Sequence, residues 1–209
     1  MNDKLDVFAL FPTPIVHFQV PDSAVLNAEL KSAIVKRQQA DTTGTEHSNY
    51  GGWQSSWDME KWGGAPAIKL LAYARNTANR ATCNRTGESV SITWKANMWA
   101  NVNRAGHGNE FHAHPGTFWA GVYYVDDGGI GADPKLDGLL EFMDPRGPGV
   151  TMYAPTLAFN CPGGLSVGAN EVVVPKAGLM VLFPGWVLHQ VRPYKGNAER
   201  ISIAFNLSL

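Results

Sequence analysis

Residues 92–103 read ITWKANMWANVN, and their period decides the fold. Ile92, Trp94, Ala96, Met98, Ala100 and Val102 fall on one side of an extended chain; Thr93, Lys95, Asn97, Trp99, Asn101 and Asn103 fall on the other. Successive strand side chains point to opposite faces, so this spacing sorts apolar from polar residues as a strand and scatters them as a helix. Working downstream, short apolar runs follow at 118–125 (FWAGVYYV), 138–143 (GLLEFM), 171–174 (EVVV), 178–183 (GLMVLF), 186–191 (WVLHQV) and 200–207 (RISIAFNL). Turn-forming stretches such as DDGGIGADP and DPRGPG separate them. Upstream the period is helical. Asp22 and Ser23 are N-cap candidates for a helix over 23–39, whose apolar face is Leu26, Leu30, Ala33 and Ile34. A second helix is predicted from near Pro66, with Ile68, Leu71, Ala72 and Ala78 as its buried stripe. Residues 10–20 (LFPTPIVHFQV) read as an extended segment and residues 41–65 as a loop rich in Gly, Ser, Thr and Trp. Two helices followed by seven or so strands predict a mainly β fold with flanking helices. The expected core is a double-stranded β-helix, or jelly roll, with the N-terminal helices packed outside. No composition break divides residues 1–209, so a single domain is expected.

Charge excludes several partners. Seventeen Lys and Arg stand against eighteen Asp and Glu. Residues 1–85 carry 9 − 8 = +1 and residues 86–209 carry 8 − 10 = −2. Neither half offers the basic excess on which nucleic-acid or acidic-membrane binding rests. Cys83 and Cys161 cannot build a disulfide framework. No apolar run reaches membrane-spanning length, and the opening MNDKLDVFALFPTP lacks the apolar core of a signal peptide. A cytoplasmic location is therefore expected. An exposed Trp-rich loop would permit a homodimer.

Three histidines carry the chemistry. His112 and His114 are spaced i, i+2, so an extended chain points both imidazoles the same way. Two solvated loop histidines beside Pro115 would look identical. His189, at the end of an apolar strand after Phe183-Pro184-Gly185-Trp186, supplies a third imidazole that a barrel would return to the same end. Three imidazoles suit Fe, Zn, Cu or Ni better than Mg or Ca. Glu110, two residues before His112, is an alternative third ligand if the local register differs. His17, His47 and His107 have no partner spacing and read as surface or packing residues.

On the C-terminal strand, alternation groups Arg200, Ser202, Ala204 and Asn206 against Ile201, Ile203, Phe205 and Leu207. An arginine on so apolar a strand needs an anion. That anion is either a ligand carboxylate, gripped bidentately with help from the Ser202 hydroxyl, or a structural partner such as Glu141 or Asp144.

His112-x-His114, then His189, then ten residues to Arg200-x-Ser202, resembles the 2-oxoglutarate- and Fe(II)-dependent oxygenases. The chain as a whole is similar to the bacterial 2OG-Fe(II) oxygenase family, through LFPTPIV (10–16), SNYGGW (48–53), HAHPGTFWAGVYYV (112–125), GLLEFMDPR (138–146), LFPGWVLHQVRPY (182–194) and ERISIAFNL (199–207). The resemblance implies Fe(II) on His112, His114 and His189, with 2-oxoglutarate as cosubstrate held by Arg200 and Ser202. It implies that molecular oxygen hydroxylates or demethylates a small-molecule or peptide substrate. It extends cosubstrate binding to Asn101, eleven residues before His112, to Asn103, nine before it, and to Tyr124, which matches a second tyrosine after the first ligands. Related base-repair oxygenases have Tyr where Asn103 stands, and ordinary core packing would also account for Tyr124. His114 departs from the usual Asp or Glu, leaving an ion here with a charge of +2 that the cosubstrate dianion would neutralise.

Two other classes compete. A cupin-like three-histidine metalloenzyme without 2-oxoglutarate fits the imidazoles, but Phe118 and Trp119 stand where a cupin's glutamate would, and the His189-to-Arg200 spacing goes unused. A non-enzymatic jelly-roll binding module would use the Trp-rich 53–62 segment, which could equally cover an oxygenase pocket.

Overall fold

The computed structural model describes residues 5–161 and 167–209. The first four residues of the opening segment read above for a leader lie outside that range. In chain order the main elements are β1 (Val16–Gln19), α1 (Ser23–Ala40), β2 (Asn49–Tyr50), β3 (Trp53–Gln54), α2 (Met59–Trp62), α3 (Gly64–Arg80), β4 (Lys95–Asn103), β5 (Gly108–His112), β6 (Trp119–Asp126), β7 (Leu140–Phe142), α4 (Gly149–Tyr153), β8 (Glu171–Val173), β9 (Leu179–Pro184), β10 (His189–Val191) and β11 (Arg200–Ser208). The strands form two antiparallel sheets: a larger one in the order β1-β9-β6-β11-β4-β3 and a smaller one in the order β2-β5-β10-β7-β8. Two facing sheets with helices on one outer side make the jelly-roll core that the strand spacing predicted.

The larger sheet is buried on both faces for different reasons. Its outer face presents Met98, Ala100, Val102, Ile201, Ile203, Phe205 and Leu207 to Leu26, Leu30 and Ile34 of α1 and to the α3 stripe. Its inner face meets the smaller sheet through Ala120, Tyr124, Val181 and Phe183, against Leu140, Phe142 and Val187. The alternation read in 92–103 and 200–207 is thus the division between helix-covered core and interior.

Three local expectations need correction. Asp22 precedes α1 in a left-handed conformation (φ 47°) and its side chain makes no capping bond. On α3 the buried stripe is Ala67, Leu70, Leu71, Ala74, Thr77 and Ala78, whereas Ile68 and Ala72 are exposed. Leu71 and Ala78 lie on the buried side as expected, and Ile68 and Ala72 do not. Finally, residues 41–65 are not simply a loop. β3 pairs with β4 through Trp53–Val102 and Gln54–Asn101. Ser55 N–H then donates to Ala100 O at 2.9 Å, and Met98 N–H donates to Trp57 O at 3.0 Å. Residues 53–58 therefore run along the sheet edge and present Trp57 over it, a role their Gly- and Ser-rich surroundings concealed. Strand β5 was also unread, because GNEFH has no alternation to display.

Candidate metal and cosubstrate site

Antiparallel pairing of β10 with β5 sets His189 opposite His112. His114 lies two residues beyond the end of β5, where its backbone N–H donates to Gly185 O at 2.7 Å. A Cβ on Gly185 would come within 2.4 Å of Thr117 O and 3.0 Å of His114 O, so only glycine lets the two turns close this tightly. The three imidazoles meet as a result. Their candidate ligand atoms all lie within 4.8 Å of one another, and His114 Nε2 stands 3.3 Å from His189 Nε2. Two nitrogens each about 2.0–2.1 Å from a shared ion sit roughly 3–3.4 Å apart, so the spacing fits a metal.

The surroundings prepare these rings as ligands. His112 Nδ1 lies 2.7 Å from Glu110 O and His189 Nδ1 2.9 Å from Val187 O. Each Nδ1–H can donate to its carbonyl, which leaves the Nε2 lone pairs facing the cluster. Burial holds the rings neutral: it lowers His112, takes His114 to about 4 and takes His189 to about 3. Glu110 contributes its backbone carbonyl, while its side chain is exposed and outside the imidazole group. The HxH pair, not the HxH-flanking carboxylate, is what the fold brings together.

The same cavity is lined by Arg200, Ser202, Tyr124, Asn101 and Gln54. Strand register explains the grouping. Gln54 pairs with Asn101, Asn101 with Ser202, and Ser202 with Tyr124, making one polar row across four strands. Arg200 stands one step beyond that row. It is 2 % exposed, its Nη1 reaches Ser202 Oγ at 3.4 Å, and its guanidinium carbon lies 5.2 Å from the centre of the Tyr124 ring. Its Nε is buried without a hydrogen-bond partner, as are Tyr124 Oη and Gln54 Nε2. The candidate structural partners are engaged elsewhere: Glu141 with Arg192 and Asp144 with Arg146. Among the described lining residues there is no carboxylate. A buried guanidinium beside unpaired donors is costly unless an anion completes it, so the residues fit a carboxylate ligand. Burial pushes Tyr124 up to about 12, which keeps its hydroxyl proton available as a donor.

Not every expected residue reaches this cavity. Asn103 is buried and pairs in register with Arg200, but it is not among the lining side chains. Gln54 and Trp57, from the segment expected to cover a pocket, also line the cavity, as does His47, which was expected to be a surface or packing residue. His47 packs edge-on to Trp57 with ring centres 4.9 Å apart, and Trp57 lies 5.4 Å from Trp99. His47 is therefore not a bystander histidine.

Known proteins show the same framework. The chain is similar to a prolyl-4-hydroxylase from Pseudomonas putida, at 16% identity with a TM-score of 0.60, over 93% of this chain and 91% of the other. It is similar to a Trichoplax adhaerens prolyl hydroxylase whose structure includes a hypoxia-inducible-factor peptide (13% identity, TM-score 0.62, 93% and 83% covered). HygX from Streptomyces hygroscopicus, whose structure holds nickel and 2-oxoglutarate, matches at 10% identity and a TM-score of 0.56, over 94% and 82%. At such identities these likenesses concern the fold. No curated protein matches the chain in sequence. The family described as "Putative 2OG-Fe(II) oxygenase" matches residues 97–206, more than half of the chain, from within β4 to within β11. With the three-histidine group and the orphaned arginine inside that run, the chain belongs to the 2OG-Fe(II) oxygenases, dioxygenases that work with iron(II), 2-oxoglutarate and molecular oxygen.

Proposed function

We propose that the protein hydroxylates or demethylates a C–H-bearing substrate, with His112, His114 and His189 as the iron ligands and Arg200 as the principal anchor of 2-oxoglutarate. The observation that carries this reading is the buried Arg200 guanidinium, which forms no salt bridge among the described residues, feels Asp127 only at longer range and shares a cavity with the imidazole cluster. Bound iron(II) and 2-oxoglutarate supply the oxidising chemistry, in which the cosubstrate and oxygen yield succinate, carbon dioxide and one oxygen atom for the substrate. The chain's own residues bind, orient and shield. Arg200 would take the distal carboxylate through its planar fork, Ser202 would add a hydroxyl, and the protonated Tyr124 a second donor. Asn101 and Gln54 continue the same row and would hydrogen-bond the cosubstrate's flank. Asn103, beside Arg200 but off the cavity, would act only by fixing that neighbour. The backbone carbonyls of Glu110 and Val187 hold His112 and His189 in orientation.

Anaerobic titration tests the reading directly. Protein loaded with Fe(II) should develop a charge-transfer band near about 500 nm when 2-oxoglutarate is added, because a chelated keto acid is ligated to a reducing metal. Metal binding with no such band and no cosubstrate affinity would favour a three-histidine enzyme that does not use 2-oxoglutarate.

A further inference from the structure

Beyond the polar row lies a second set of inward side chains with different chemistry. The next row is Trp99, Ala204 and Val122, and the one after it pairs Asn97 with Asn206 and Asn206 with Ala120. The two asparagines are thus directly opposed on neighbouring strands, where facing Cβ atoms sit about 4.5–5.5 Å apart. Asn97 Oδ1 and Asn206 Oδ1 are both buried without a hydrogen-bond partner. Two unpaired amide oxygens side by side cost stability, each about 1–3 kcal/mol, unless something else completes them. Both line a cleft of about 430 Å³ that also takes in His114, Trp57 and His47. This cleft and the cavity holding Arg200 share His47, Trp57, His114 and Asn206, so the two adjoin at His114. The aromatic wall is continuous: His47 on Trp57, Trp57 on Trp99, and Trp99 with its ring centre 6.1 Å from that of His114. Trp57 is 39 % exposed, so its ring meets both solvent and cleft. The only Lys, Arg, Asp or Glu among the described lining residues is Lys95, whose ammonium is turned to the Leu209 carbonyl at 3.0 Å.

We propose that this cleft is the substrate subsite and that it takes a planar, uncharged amide whose N–H groups donate to Asn97 and Asn206 while its flat face lies on Trp57. The proposal rests on the oxygenase reading, since it places the substrate beside His114. Each element of the cleft selects for part of that description. The paired acceptors demand N–H donors. The indole and imidazole faces favour flat groups, through stacking rather than charge. The absence of a carboxylate among the described lining residues leaves a cationic substrate without a counter-charge, next to a site that already contains Arg200 and a divalent ion when loaded. The amide could belong to a peptide or to a cyclic amide such as a nucleobase-like ring, and the two sources present the same donors.

The test uses the full chain loaded with Ni(II) and 2-oxoglutarate, read by Trp fluorescence and calorimetry. The peptide arm compares N-acetylphenylalaninamide with its fully N-methylated analogue, which has no N–H; the ring arm compares uracil with 1,3-dimethyluracil. In at least one arm the N–H-bearing probe should bind about tenfold more tightly than its partner, which corresponds to losing one or two hydrogen bonds. The arm that discriminates identifies the source. Asn97→Leu should abolish the discrimination and leave 2-oxoglutarate affinity unchanged, which also reports that it folds; Asn206→Leu should abolish the discrimination in a protein that still binds Ni(II). If either variant fails to fold, Trp57→Ala, on the exposed edge, should weaken both probes of the discriminating pair. Equal binding within both pairs, or no binding of any probe to a protein that binds Ni(II) and 2-oxoglutarate normally, overturns the proposal. Amide discrimination in a protein that fails to bind 2-oxoglutarate would instead keep this subsite and overturn the oxygenase reading.

Discussion

The two sheets contribute opposite walls of one cavity, yet they fix their side chains by different means. In the larger sheet β4 and β11 run for nine residues each. One face is sealed under α1 and α3, so a slip of one residue would turn Ile201, Ile203 and Phe205 into the polar cavity. Burial alone dictates where Arg200 and Ser202 point. In the smaller sheet β7, β8 and β10 have three residues apiece, and Phe111 and Val172 stand exposed on it. Its strands are clamped by a polar knot instead. Glu141 accepts from Arg192 Nε and Nη2 at 2.9 and 2.7 Å, from Asn170 Nδ2 at 3.0 Å and from Gln190 Nε2 at 2.5 Å. The knot crosses β7 and β10, the strand that delivers His189. Function and stability should therefore separate on the larger sheet and stay linked on the smaller one.

Arg200 offers the largest effect by which to break that contrast. Arg200→Ala removes a charge-assisted, bidentate grip, so 2-oxoglutarate affinity should fall by about 2–5 kcal/mol, roughly 30-fold or more. Lys at 200 should restore only part, because an ammonium is a point charge. Ni(II) affinity and the apo protein's melting temperature should hold or rise, since a buried guanidinium without a carboxylate partner is removed. A folded, metal-binding Arg200→Ala protein with unchanged cosubstrate affinity would return Arg200 to a structural role.

Glu141 should behave in the opposite way. Hydrogen bonds from Arg192, the largest cause, then Gln190 and Asn170 lower its carboxyl from 4.5 to about 2 against a burial penalty. A depressed folded-state value contributes stability above the unfolded value and loses it as pH falls through 4.5 toward 2. Glu141→Gln should cost about 2 kcal/mol at pH 7, the full shift being discounted because Arg192 is partly exposed. In urea melts the gap from wild type should shrink by more than half between pH 7 and pH 3. Ni(II) affinity should fall with stability as β10 loosens; a pH-independent gap would show that the knot is not what clamps the sheet.

The same contrast explains what the sequence disclosed. Long strands with one sealed face write their structure as alternation, so Arg200, Ser202 and Asn101 were legible on the cavity side, whereas Tyr124 was reached only through the family resemblance. The helices were visible by period, although the buried face of α3 takes in Ala67, Leu70 and Ala74 and leaves Ile68 outward. The smaller sheet left little trace. Strands of two to five residues are too short for a period, and β5 was detectable only through its terminal His112. The Trp-rich segment was legible as a pocket cover, but the pairing of Gln54 with β4 is a tertiary event, invisible in a Gly- and Ser-rich stretch. His47 escaped because its contact with Trp57 is likewise tertiary.

Gly185 is where the two sheets meet, and its substitution should have a smaller, coupled effect. Ala at 185 would drive a methyl group into Thr117 O, which must move, and His114 is held by the same turn. A stability loss of about 1–3 kcal/mol is expected, together with weaker Ni(II) binding and unchanged affinity for 2-oxoglutarate in the absence of metal. Intact metal affinity in a destabilised Gly185→Ala protein would show that His114 positions itself without the turn.

His114 sharpens the comparison most finely, because it asks how the two walls communicate. Burial keeps His114 and His189 neutral at pH 7, with values near 4 and 3, and the described lining residues include no carboxylate. A divalent ion on the smaller sheet's imidazoles and the Arg200 charge on the larger sheet would thus share a single source of negative charge, the cosubstrate dianion. Each should then strengthen the other's affinity for it, and linkage makes the assistance reciprocal. His114→Asp supplies a carboxylate of the protein's own. Ni(II) alone should bind that variant more tightly, while the factor by which 2-oxoglutarate improves Ni(II) binding should shrink by about tenfold, roughly 1.4 kcal/mol of coupling. Calorimetric titration of Ni(II) with and without 2-oxoglutarate, in wild type and variant, gives all four affinities. An unchanged coupling factor would mean that the walls act independently, with the missing carboxylate compensated somewhere other than at the cosubstrate.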